Sequence, residues 1–356
     1  MQLNEKRKYD LFDCLNEELR SLPGVVFSSN REEIMNYQRV KLPFDLLKKI
    51  IIDFNGYREL EVETLRKLDL SELSFDGMWL HCVDLSYTNV SIDPQKVLSK
   101  SLNRANLAGV DLSGKDFTGV SIEHSDLSYT GVSIDPQEVN NRSLLGTNLT
   151  GNDLSRGNFN GVNVQLANLS YTGALIDPQK VLDKSFFGTE MENIDLSKAD
   201  FTGVNIGSAN LQGTGALIDP QKVFNKSLSH TNLRGLNFDG KDFTDVKIDQ
   251  ADLSYTNALL DPQVVWNKNL SGTQLVGVDL SDKDFSGVDV TRANLDKTGA
   301  RLSFDQKREV LSCVDQNDFV NALQVIREKC SEMRKSLDCL SSLDEKEEIS
   351  LKIKKL

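Results

Sequence analysis

The sequence predicts a mainly β solenoid, a square coil of about twenty residues stacked on itself about 11–12 times, and two periods and a composition predict it. Asp-Pro recurs at Asp93-Pro94, Asp135-Pro136, Asp177-Pro178, Asp219-Pro220 and Asp261-Pro262, always 42 residues apart. Within that unit an apolar residue returns at every fifth position, as in Leu102, Leu107, Leu112, Phe117, Ile122, Leu127 and Val132. A period of five matches neither an α-helix nor a strand, so no regular element keeps these residues on one side. It suits a chain that turns a corner every five residues and points each central residue at the axis. Four sides close a coil of about twenty residues, and stacked coils pair their backbones at about 4.8 Å. The composition agrees, because 7% aromatic residues fit a narrow, leucine-lined interior better than a thick core.

Residues 1–59 precede the frame and read as a helical capping region. Leu11, Phe12, Leu15 and Leu19 fall at helical spacing, and residues 42–54 form a second apolar helical stretch after Pro43. The coil follows over 60–302. Its 42-residue unit is two coils plus two extra residues, inserted where the frame jumps by seven, from Val90 to Val97, Val132 to Val139, Ala174 to Val181, Ala216 to Val223 and Ala258 to Val265. At each jump Asp suits a helix N-cap and Pro the first helical position, so one short turn is expected, repeated as a ridge.

Runs such as Ala105-Asn106-Leu107-Ala108-Gly109, Ala209-Asn210-Leu211-Gln212-Gly213 and Ala251-Asp252-Leu253-Ser254-Tyr255 resemble the A(N/D)LXX consensus of the pentapeptide-repeat family. The resemblance covers 60–302 and implies a right-handed quadrilateral parallel β-helix whose central residue, and the one two before it, face inward. Ala105, Val110, Val120, Ser125, Ala167, Ala209 and Ala251 fill that second position with small or aliphatic side chains. Lys115, Lys241 and Lys283 depart from it. A bare buried ammonium is too costly, so they are expected to snorkel out at a corner or to meet a carboxylate, and whether they bind anything stays open.

Three outward columns are candidate interaction surfaces. Tyr87, Tyr129, Tyr171 and Tyr255 share the motif LSYT, interrupted by Gly213. Asp69, Asp111, Asp153, Asp195 and Asp279 form an acidic column with Asn237 at the missing step; the alternative is that these side chains satisfy backbone groups at corners. Leu98, Leu182, Phe224 and Trp266, with Asn140 among them, follow the Asp-Pro turn, and either mark a partner surface or fold against the wall.

Residues 303–356 end the chain. Phe319, Ala322, Leu323, Ile326, Cys330, Met333, Leu337 and Leu340 trace one helical stripe, fit for a cap or a homodimer seam. Stacked coils leave open backbone edges at both ends, which caps must cover.

The net charge is −12, and residues 60–302 hold 32 acidic and 21 basic side chains, so nearly all of it lies on the coil. A phosphate-neutralising nucleic-acid binder needs the opposite sign. The five cysteines are scattered without a CxxC, and His81, His124 and His230 stand apart, so no metal, cofactor or catalytic site is indicated. No signal sequence or apolar span of about twenty residues is read, so a cytoplasmic protein off the membrane is expected. The leading expectation is a non-enzymatic, rigid, acidic scaffold for a protein partner of open identity. The resemblance supplies alternatives: a DNA mimic that binds a type II topoisomerase and protects it from quinolones or peptide toxins, or a bacterial effector acting in a host cell.

Overall fold

The computed structural model describes residues 68–311 and the two-residue strand β1 (Val40–Lys41). The helical readings within 1–59 and the apolar stripe from 319 to 340 lie outside the described residues. From Leu70 onward the predicted central residues are buried one after another, and they merge into a single continuous core. Each coil has four sides, named here by their centres in one unit: A (Val97, Phe117), B (Leu102, Ile122), C (Leu107, Leu127) and D (Leu112, Val132).

Corners arise two residues after a centre. Gly109 has φ +70°, Arg104 +58° and Tyr129 +57°, and the next backbone N–H closes the turn, Val110 donating to the Leu107 carbonyl at 2.9 Å. Positive φ at the third residue is the signature of a type II turn. The residue before each centre tightens the same corner with its side chain, as when Asn106 Oδ1 accepts from the Ala108 N–H at 3.3 Å and Asp126 Oδ1 from Ser128 at 2.9 Å.

A side of five residues that includes a corner leaves room for one paired residue. The coils are accordingly joined by single-residue parallel bridges. Along side C these run unbroken from Asp84 through Asn106, Asp126 and Asn148 to Asn294. On side B only the 20-residue step is bridged, as in Ser101 with Ser121 and Ser143 with Asn163. Longer pairing among the described residues occurs once, where β1 lies parallel to β2 (Leu68–Asp69) in the register Val40 to Leu68. The mainly β expectation is therefore corrected in degree: turns carry the winding, and recurring β pairing is reduced to single residues on sides B and C. β1 also adds a strand to the segment read as helical cap.

Two threonine columns make the interior polar where carbonyls need partners. The Thr of each LSYT motif is buried and donates to the carbonyl three residues back, Thr130 to Leu127 at 2.7 Å and Thr172 to Leu169 at 2.6 Å. Thr147, Thr189, Thr231 and Thr273 are fully buried and donate across coils, Thr189 reaching the Val164 carbonyl at 2.9 Å. A buried carbonyl left without a donor would cost about 1–3 kcal/mol.

At each insertion the expected turn forms. Asp135 Oδ1 accepts from the Gln137 N–H at 3.0 Å and its carbonyl from the Glu138 N–H at 2.9 Å. Proline has no N–H to give to the neighbouring coil, and the following Gln supplies the donors. Gln179 Nε2 donates to the Asp200 and Thr202 carbonyls at 3.0 and 2.9 Å, and Gln95, Gln221 and Gln263 repeat the pair. A second, left-handed turn follows at Leu182–Lys184, where Asp183 has φ 54° and Lys184 φ 48°, as type I′ geometry requires.

At the far end the chain leaves the last coil for α1 (Phe304–Leu311). Ser303 Oγ accepts from the Gln306 N–H at 3.3 Å while Gln306 Oε1 accepts from the Ser303 N–H at 3.1 Å, a reciprocal capping box. Gln306 Nε2 then donates to the Phe285 and Val288 carbonyls at 2.7 and 3.1 Å, covering part of the open edge of the last coil.

Candidate interaction surface

The acidic column lies on side D, and each member is engaged with its own corner. Asp69 Oδ1 accepts from the Ser71 N–H at 3.2 Å and from Asn89 Nδ2 at 2.6 Å. Asp111, Asp153, Asp195 and Asp279 accept from the backbone N–H groups of Ser113, Ser155, Ser197 and Ser281 at 3.0–3.1 Å, and Asn237 does the same for Asp239 at 2.9 Å. The Ser113 backbone and hydroxyl hold the Asp111 carboxyl below its usual value, and the hydroxyls and N–H groups of Ser155, Ser197 and Ser281 do so for Asp153, Asp195 and Asp279. The carboxylates remain at the surface, so corner capping and a negative field coexist.

The tyrosines sit at the corner between sides C and D with φ of 57–61°. Tyr87 is half-buried, while Tyr129, Tyr171 and Tyr255 are more than half exposed. Glycine in the next coil makes room for the ring: a Cβ on Gly109 would lie 2.5 Å from Tyr87 Cδ1, and one on Gly151 equally close to Tyr129. Tyr171 instead has Asn193 in that place, and its hydroxyl meets the Glu192 carboxylate, which raises its pKa. Arg234 stacks on Tyr255 with its guanidinium carbon 4.4 Å from the ring centre.

Leu98, Leu182, Phe224 and Trp266 open the left-handed turns on side A and are roughly half exposed, so the insertion does not fold them under. Lys247 Nζ lies 5.2 Å from the Trp266 ring centre. The Asp-Pro residues form the ridge beside them. Asp93, Asp177 and Asp219 pair with Lys96, Lys180 and Lys222 at 3.2–3.4 Å, while Asp135 and Asp261 cap Gln137 and Gln263; Pro94, Pro136, Pro178, Pro220 and Pro262 lie within the wall. Lys115, Lys241 and Lys283 are half-buried at the D-to-A corner, and Lys241 borders a shallow cleft with Asp200, Asp219 and Lys222.

Two further columns emerge. Lys100, Arg142, Lys184, Lys226 and Lys268 occupy the second residue of the left-handed turn, a basic line beside Asp116, Asp200, Asp242 and Asp284. Their 42-residue spacing was the available signal. Leu175, Leu217 and Leu259 project from side D, also 42 apart. The structure thus sets the tyrosines on the C-to-D corner, the aspartates and the exposed leucines on alternate coils of side D, and the turn apolar residues on side A, rather than gathering them into one pocket.

Among the described residues no group of His, Cys, Asp and Glu is placed to hold a metal ion, and no helix is long and apolar enough to cross a membrane. A comparison with curated proteins gives no match. Among solved structures, a trypsin-treated variant of QnrB1, a plasmid-mediated fluoroquinolone resistance protein, is 17% identical over 57% of this chain and 86% of its own, with a TM-score of 0.26. HetL, a pentapeptide repeat protein involved in heterocyst differentiation regulation from the cyanobacterium Nostoc sp. strain PCC 7120, is 18% identical over 75% of this chain and 100% of its own, with a TM-score of 0.17. Eight copies of the pentapeptide-repeat family model match residues 101–130, 185–214, 227–258 and 269–298. With a corner at every fifth residue and the matched repeats in the same frame, these stretches of the chain are pentapeptide repeats.

Proposed function

We propose that the chain is a rigid, non-catalytic, cytoplasmic scaffold of bacterial origin that binds a protein partner along its outer columns, wound right-handed like the pentapeptide-repeat family. The observation that carries this reading is the corner column of Tyr129, Tyr171 and Tyr255, more than half exposed on backbone that the side C bridges hold in place. Aromatic side chains presented at fixed pitch give large contact area at little entropic cost, which is how protein-binding surfaces gain affinity. The test is affinity capture with the wild type and with Tyr129→Ala/Tyr171→Ala, both verified as folded by circular dichroism. Partners lost from the variant support the tyrosine surface; identical recovery from both proteins removes it.

A second reading, mimicry of DNA toward a type II topoisomerase, is favoured by one feature. Asp111, Asp153, Asp195 and Asp279 hold exposed carboxylates whose pKa is lowered, so they stay ionised at a regular step. The basic line on the A-to-B corner weighs against a uniformly negative rod. Purified protein at micromolar concentration should then bind gyrase and relieve quinolone inhibition of supercoiling; neither binding nor relief would end this reading.

A further inference from the structure

Leu175, Leu217 and Leu259 are 71%, 59% and 68% exposed. A line of leucines open to water marks a surface that something covers. They hold one position in successive 42-residue units, so they stand about 10 Å apart along the rod, two coils of about 4.8 Å each. The same position is Ser91 and Ser133 in the two preceding units and Arg301 in the next. The apolar line is therefore confined to the C-terminal part of the rod and stops where the chain leaves it for α1, which begins at Phe304.

The sequence beyond α1 carries the matching pattern. Phe319, Ile326, Met333 and Leu340 recur every seven residues, with Leu323, Cys330 and Leu337 between them. A helix rises about 10.5 Å in seven residues, within about 1 Å of the two-coil step. A helix over residues 319–340 would be about 33 Å long, and the line from Arg301 back to Leu175 covers three units, about 29 Å. Ser133 lies one unit further, about 38 Å from Arg301, past the end of such a helix. A helix that starts level with Arg301 spans all three leucines and ends short of Ser133. Residues 312–318 span up to about 24 Å when extended, enough to turn the chain back along the rod.

We propose that residues 319–340 of the same chain pack as an amphipathic helix on side D, running back toward the N-terminal end. Ile326 then faces Leu259, Met333 faces Leu217 and Leu340 faces Leu175. This stands apart from the tyrosine surface and does not depend on it.

The test is hydrogen–deuterium exchange on the full chain, compared with Leu175→Ser/Leu217→Ser/Leu259→Ser, which installs the residue already present as Ser91 and Ser133. The expected result is that amides of 319–340 exchange at least tenfold faster in the variant, with the circular dichroism of the rod unchanged. Light scattering should report a monomer, and the protection should not depend on concentration. Should the triple variant fail to fold, Leu217→Ser alone must still speed exchange in that segment at least threefold, while Leu98→Ser leaves it unchanged. Equal exchange in all proteins, or no protection in the wild type, overturns the proposal. Protection that grows with concentration alongside a doubled mass makes the occupant a second copy and overturns it as well.

Discussion

A bulky residue at positive φ is uncommon, since its Cβ crowds the backbone at a cost of roughly 1–2 kcal/mol, yet Tyr87, Tyr129, Tyr171 and Tyr255 all adopt it. Packing over the next coil compensates in three of them, where the partner is Gly109, Gly151 or Gly277. Two glycines separate the backbone term from the packing term. Gly151 (φ +76°) has the Tyr129 ring 2.5 Å from where a Cβ would sit, whereas Gly235 (φ +72°) has nothing within 4 Å. Gly235→Ala should cost about 1 kcal/mol of backbone strain, and Gly151→Ala measurably more. In a Tyr129→Ala background that excess should vanish, and urea unfolding of the four proteins in a double-mutant cycle checks it. The tyrosine column was legible in the repeated LSYT. Its seating on glycine was not, because that contact joins residues 22 apart through a ring orientation no spacing encodes. The buried Thr of the same motif was equally hidden, since a threonine that satisfies a core carbonyl looks in sequence like any surface threonine.

Among the elements, the Asp-Pro-Gln step joins local turn chemistry to coil stacking. Asp and Pro announce a turn by their own propensities, so that part could be read directly. The role of Gln could not, because its acceptors lie 21 and 23 residues downstream. Gln179→Ala removes both bonds and should destabilise the chain by about 1–2 kcal/mol at the net worth of hydrogen bonds. Gln179→Glu, which keeps the shape and loses the donors, should do no better. Denaturant unfolding of both variants gives the outcome, and a Glu variant as stable as wild type would mean that shape alone matters there. Single-residue bridging was also beyond the sequence: a five-residue period fixes where corners fall, but the corner geometry decides how much of each side stays extended enough to pair.

At the scale of the whole molecule, the −12 charge resolves into patterned lines, acidic on side D and mixed along the A-to-B corner. The aspartates of side D are held below the unfolded carboxyl value by hydrogen bonds that only the folded chain offers. A depressed folded pKa gives stability that is fully present above the unfolded value, about 3.9, and is lost as pH falls through the folded values. Urea midpoints should therefore fall as the pH drops below about 4. Asp111→Asn/Asp153→Asn/Asp195→Asn, which copies the Asn237 already present in the column, should flatten that fall while keeping the corner acceptors. An unchanged acid slope in the variant would assign the pH dependence to other groups.

The alternation of ring over glycine and the glutamine reaching past each proline have a further consequence for size. Removing a single coil of twenty residues would set tyrosine against tyrosine, and would bring a proline next to carbonyls that no glutamine then reaches. Removing 42 keeps ring, glycine and glutamine in their alternating frame. The rod can thus change length only in increments of about 10 Å. Any partner that engages it at two points is matched to a staff graduated in those marks, and its own spacing is fixed to a whole number of them.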